Sequence, residues 1–101
     1  MSSVLTFRKG AYYPGTSQGI TTSAVATSSS ALQADTSIIR VAVNQDTYVA
    51  LGNGSATATA NGLLMPAGCV EFFAVSSDTV VSVLQVSTAG RVSITELTNV
   101  Q

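Results

Sequence analysis

From Ser37 onward, apolar and polar residues alternate with a period of two. Within Ser37–Asn44, Ile39, Val41 and Val43 fall on one face and Ile38, Arg40 and Ala42 on the other. This is the pattern of a half-buried strand. Gln45-Asp46 supplies a turn, and Thr47–Leu51 reads as a second strand that follows closely, as in a hairpin. Gly52-Asn53-Gly54-Ser55 opens a loop of small residues reaching Gly62, and Leu63-Leu64-Met65 is a short apolar segment stopped by Pro66. After a Pro66-Ala67-Gly68 turn, Cys69–Val75 forms a third strand in which Phe72 points opposite to Glu71 and Phe73. Ser76-Ser77-Asp78 turns the chain into Thr79–Val86, where Val80, Leu84 and Val86 share one face and Val81 and Val83 the other. Apolar residues on both faces imply a strand covered on both sides, or one whose second face meets another subunit. A Thr88-Ala89-Gly90 turn then leads to Arg91–Leu97, with Val92 and Ile94 inward. No segment carries a helical period. The fold class expected is all-β, a small antiparallel β-sandwich or barrel with an extended N-terminal arm.

The pattern changes near residue 34. Residues 16–30 contain nine Ser or Thr and almost no large apolar group, too little to offset the entropy of ordering. Residues 1–34 are accordingly expected to be an arm or linker, and residues 35–101 the β-domain. Before the Ser/Thr tract lie Val4-Leu5-Thr6-Phe7, a β-prone run, and Tyr12-Tyr13-Pro14-Gly15, which leads into a Pro-Gly turn. Phe7, Tyr12 and Tyr13 are the candidate anchors of such an arm on a neighbouring subunit. On this reading, deleting residues 2–30 would leave the β-domain folded.

Composition narrows the chemistry. There is no histidine, the commonest group that moves protons near neutral pH, so a binding or structural role is expected rather than catalysis. The acids Asp35, Asp46, Glu71, Asp78 and Glu96 are dispersed without metal-ligand spacing, Gly52-Asn53-Gly54 lacks the lysine of a phosphate loop, and no cofactor is expected. Arg8, Lys9, Arg40 and Arg91 are the only cations in a chain of net charge −1, which argues against nucleic acid as partner. Cys69 has no second cysteine to pair with, in keeping with a reducing compartment. No apolar stretch is long enough for a membrane span and no signal peptide is evident. Only 9% of residues are charged while 46% are hydrophobic, so few repulsive charges keep copies apart. Self-association is expected from the two apolar faces of Thr79–Val86 and the small size of the β-domain, most simply as a trimer, with Val81 and Val83 as candidate contact residues. A carbohydrate-binding β-sandwich is the other class in view, with Tyr48 as its best aromatic platform.

The order of motifs from Val41 to Glu96 resembles a family of small tailed-bacteriophage virion proteins. It runs from a strand into TYVALG (Thr47–Gly52), an Ala/Thr loop, LLMPAGCVEFFAV (Leu63–Val75), VVSVLQVSTAG (Val80–Gly90) and RVSITEL (Arg91–Leu97). The resemblance covers a little over half the chain and not the serine-rich N-terminal part. It implies a small β-barrel or sandwich in many copies on the particle surface, assembled in the host cytoplasm. The role implied is a capsid decoration or cement protein bound to the major capsid protein and to copies of itself. A neck or tail component is the alternative. The resemblance also implies that the last two strands form a hairpin closed at Ala89-Gly90.

Overall fold

The computed structural model describes residues 12–33 and 36–99. Eight strands follow one another: β1 (Tyr12–Thr21), β2 (Thr27–Ser28), β3 (Ile38–Val43), β4 (Thr47–Asn53), β5 (Leu63–Met65), β6 (Val70–Ala74), β7 (Thr79–Gln85) and β8 (Arg91–Asn99). No helix occurs among the described residues. The five strands expected from alternation correspond to β3, β4, β6, β7 and β8. The period-2 signal is clearest in β3, whose positions alternate strictly between half-buried and buried, whereas β7 is buried on both faces over Thr79–Val83.

The strands form two four-stranded antiparallel sheets, ordered β1-β8-β3-β6 and β2-β7-β4-β5. This is the jelly-roll arrangement. The pairs β1–β8, β2–β7, β3–β6 and β4–β5 trace one long hairpin whose tip is the loop between β4 and β5, and β3–β8 and β4–β7 pair it with itself on rolling up. Two expected hairpins are therefore absent. β3 and β4 lie in different sheets, as do β7 and β8, so the turns at Gln45-Asp46 and Ala89-Gly90 are arches from sheet to sheet. Such an arch lets two consecutive strands point their apolar faces at each other across the interior, which a hairpin in one sheet would not.

The interior is built from Ile20, Ile39, Val41, Val43, Val92 and Ile94 of the first sheet and Val49, Met65, Val81 and Val83 of the second, with Leu32 from the β2–β3 connection. These are mostly β-branched residues, stiff at χ1 and suited to a pleated surface. Burial of each contributes roughly 1.5–3 kcal/mol relative to exposure.

The segment read from sequence as an arm and linker is, from Tyr12 to Gln33, part of both sheets. β1 pairs along its length with β8, and Ile20 and Leu32 are buried. Its low apolar content misled because β1 and β2 are edge strands, ordered by partners that already possess a core. Hydroxyls complete the backbone pairing. Ser29 donates its N–H to the Val81 carbonyl at 2.7 Å, and its Oγ accepts the Val81 N–H at 3.0 Å. Thr22 binds Gly90 in the same manner, with Oγ1 accepting the Gly90 N–H at 2.8 Å. The Pro14-Gly15 pair is a β-bulge between Pro14 and Ser17 instead of a turn, which an edge strand tolerates because proline there removes no ladder bond. Phe7 lies outside the described residues, as do the side chains of Tyr12 and Tyr13, whose backbones pair with Asn99 and Thr98.

Side-chain bonds brace both ends of the roll. At one end the arches interlock: Asn44 Oδ1 accepts the Arg91 N–H at 2.7 Å, and Asp46 Oδ1 accepts the Ala67 N–H at 2.8 Å. Gly90 is required there because a Cβ would lie 2.5 Å from Asn44 Oδ1 and 2.7 Å from Gln45 Cβ. Gly68, at φ 81°, occupies the third position of the Pro66–Cys69 turn, where a left-handed backbone is needed. At the opposite end Glu96 of β8 turns its carboxylate inward, only 5% exposed, and its Oε1 accepts the Gln33 N–H at 3.2 Å and the Thr36 hydroxyl. This carboxylate pins the β2–β3 connection as it crosses between the sheets.

Two outcomes follow. Deletion of residues 2–30 removes β1 and β2 and should abolish cooperative unfolding in urea. A truncated chain that kept the full-length midpoint would show the first two strands to be dispensable. Glu96→Ala strips two hydrogen bonds from the β2–β3 connection and should lower unfolding free energy by about 2 kcal/mol, the range for bonds to a charged group, as read by the shift in denaturation midpoint.

Candidate functional site

Among the described residues, several of those able to do chemistry are engaged in holding the fold. Glu96 pins the β2–β3 connection, and Asp46 accepts from the turn after β5. Asp78 occupies a left-handed position, φ 64°, in the turn before β7, a conformation Asp tolerates better than most residues. Among the described residues no group of three or more potential metal ligands comes together. Two open grooves, of about 320 and 370 Å³, flank the sandwich. The first runs along Leu51, Ala74, Val75 and Thr79 and contains no ionisable side chain. The second passes Gly19, Asn44 and Ser93 and contains one, Arg91, whose guanidinium lies over Gly19 in the space a side chain would fill.

Cys69 lies at the entrance to β6, partly buried, with its Sγ 3.6 Å from Glu71 Oε2. Partial desolvation pushes the thiol above its ordinary value, and the Glu71 carboxylate adds to the effect by its charge and by accepting the S–H. The thiolate is thereby disfavoured, which makes the sulfur a poor nucleophile near neutral pH.

The surface features that remain are apolar. On the outer face of the second sheet, Leu64 of β5, Tyr48 of β4 and Leu84 of β7 stand in one register row. Leu64 is 48% exposed, and Val86, two residues beyond Leu84, also faces solvent. The rest of this face is covered by the chain itself. The β4–β5 loop folds back over it, with the Ala58 N–H donating to Ser82 Oγ at 3.0 Å and the Ser28 hydroxyl to the Ala56 carbonyl at 3.4 Å. That loop is a surface connection in which only Ala58 is buried, and it lies over β7 and β2. On the outer face of the first sheet, β6 presents Val70 and Phe72, with Phe72 58% exposed, while Phe73 packs against the core.

The sequence-derived candidates fare differently. Val81 and Val83 are wholly buried between the sheets, so they serve the core and offer nothing to a partner. Both faces of β7 are indeed apolar, but the other face carries the exposed end at Leu84 and Val86. Period-2 alternation assigns residues to two faces without saying which is inside, so the choice required the opposite sheet. Tyr48, the candidate sugar platform, is half-buried between two leucines. Phe72 and Leu64 were missed as surface residues. Their only sequence signal is a large apolar side chain in a short segment bounded by Pro66 or Gly68 and by the Ser76-Ser77 turn.

Replacing Glu71 with Gln removes the negative charge beside Cys69. The pH midpoint for alkylation of the thiol by iodoacetamide should then move to lower pH, because less work is needed to form the thiolate. An unchanged or higher midpoint would show that the carboxylate does not govern the sulfur. In comparisons with known protein families, curated proteins and solved structures, nothing matches this chain.

Proposed function

We propose that the chain is a virion structural protein of a tailed bacteriophage, a decoration protein that binds the assembled head and stabilises it by bridging neighbouring capsid subunits. The observation that carries the reading is the pair of apolar surfaces on opposite outer faces of the sandwich, Leu64–Tyr48–Leu84 on one and Val70–Phe72 on the other. A small module that must touch neighbours on more than one side needs such surfaces, and a free-standing monomer has no use for them. The low content of charged residues supports the same reading, as does the resemblance of the motif order to that of small phage proteins. Jelly rolls also recur in viral capsid proteins, although a fold hosts many functions and the surfaces weigh more.

The mechanism is thermodynamic. A cement protein contributes binding free energy that exists only in the assembled lattice, so it opposes dissociation of the shell without any reaction. Repeating a weak contact in every copy gives the lattice a large total from modest local affinities.

Quantitative mass spectrometry of purified particles of the phage that encodes the chain tests the proposal. On the order of hundreds of copies per particle are expected for a head lattice, against about a dozen for a neck or tail ring, both set by particle symmetry. Absence of the protein from the particles would overturn a virion role.

A further inference from the structure

Each sheet of an open sandwich has two edges, and an edge strand presents unpaired N–H and C=O groups that invite another strand. Three of the four edges here carry a device against it. β1 is broken by the bulge at Pro14–Ser17, β2 has two residues, and β5 has three and runs into Pro66. β6 has neither a bulge nor a proline, and its one charge is Glu71. Its five residues pair in unbroken register with β3 on one side, and among the described residues no strand pairs with the other.

The orientation of its backbone follows from the bonds at its ends. The Cys69 carbonyl accepts from Val43 N–H, and Val75 N–H donates to the Ser37 carbonyl. Along an antiparallel ladder these groups alternate in direction. The main-chain groups of Val70, Phe72 and Ala74 therefore point away from the sheet. The same residues carry their side chains on the outer face, where Val70 is 40% and Phe72 58% exposed.

This edge is complementary to itself. Phe72 is the middle residue of Val70–Ala74, so an antiparallel copy centred there sets Phe72 against the partner's Phe72 and Val70 against the partner's Ala74. All three resulting pairs are of the hydrogen-bonded kind, each exchanging two N–H···O=C bonds. The side chains meeting across the junction are wholly apolar. Glu71, on the other face, stands opposite the partner's Phe73, so no carboxylate directly faces its own copy.

We propose that β6 pairs antiparallel with β6 of a second copy about a two-fold axis at Phe72, joining two four-stranded sheets into one of eight. The partner is this chain itself, and the contact does not depend on the virion role. A two-fold edge contact produces dimers and not the trimer expected from the sequence.

Sedimentation velocity on the full chain should show a species of twice the chain mass at micromolar concentration. Phe72→Lys, at an exposed position, would place two ammonium groups opposite each other and should weaken dimerisation about tenfold or more, a loss of roughly 1.4 kcal/mol or greater. A second variant reads the register. In a Cys69→Ser background, Phe72→Cys should form an intermolecular disulfide under mild oxidation, because facing Cα atoms of a hydrogen-bonded pair lie about 5.5 Å apart, within disulfide reach. Leu64→Cys in the same background, on the other sheet, should not. A monomer or trimer in place of the dimer, a dimer indifferent to Phe72→Lys, or equal crosslinking through residue 64 would each overturn the proposal.

Discussion

The antiparallel pairing of Tyr12–Thr21 with Arg91–Asn99 is the constraint on which the rest of the molecule depends. It joins the first described strand to the last, so β8 acquires a neighbour on each side and its inward row of Val92, Ile94 and Glu96 becomes the middle of a sheet. Without β1, Ile20 leaves the core and β8 becomes an edge. Among the described residues, β4–β5 is the one paired couple formed by consecutive strands. Contacts so distant in sequence must close long loops before they contribute, a topology associated with slow folding.

Polar groups make that closure specific. The connections between sheets are held by Asn44, Asp46, Thr22 and Glu96, each accepting backbone N–H groups that would otherwise be unpaired at the ends of the roll. Among the described residues no buried side-chain nitrogen or oxygen lacks a partner. A buried, unmade hydrogen bond is more damaging than a made one is helpful, so these residues select one arrangement of arches more than they add stability. Two of the acids, Asp46 and Glu96, are taken up by these structural tasks.

What is left over is surface. The sandwich has two outer faces and partly covers one with its own β4–β5 loop, leaving Leu64, Tyr48 and Leu84 open, while Phe72 and Val70 stand on the edge strand β6. The two sites differ in kind. The first is an apolar row that fits any complementary apolar surface, and the second offers backbone hydrogen bonds with a defined register. A protein built to join others can use the edge to set geometry and the face to add area.

Alternation, β-prone apolar runs and turn residues in the sequence were enough to determine the all-β class, the turns at Pro66–Gly68 and Ser76–Asp78, and strands β3, β4, β6, β7 and β8, because these are local properties of each segment. The buried row Ile39, Val41, Val43 was legible for the same reason. Tertiary structure alone decided the rest. β1 and β2 were hidden in a Ser/Thr tract because their order comes from pairing with β8 and β7, which composition does not record. Arches were indistinguishable from hairpins at Gln45-Asp46 and Ala89-Gly90, since a short polar turn serves either, and only the opposing apolar faces place consecutive strands in different sheets. The choice between Val81 and Leu84 as the interior side of β7 was undetermined in the same way: a strand with two apolar faces has no inside until another sheet packs on one of them.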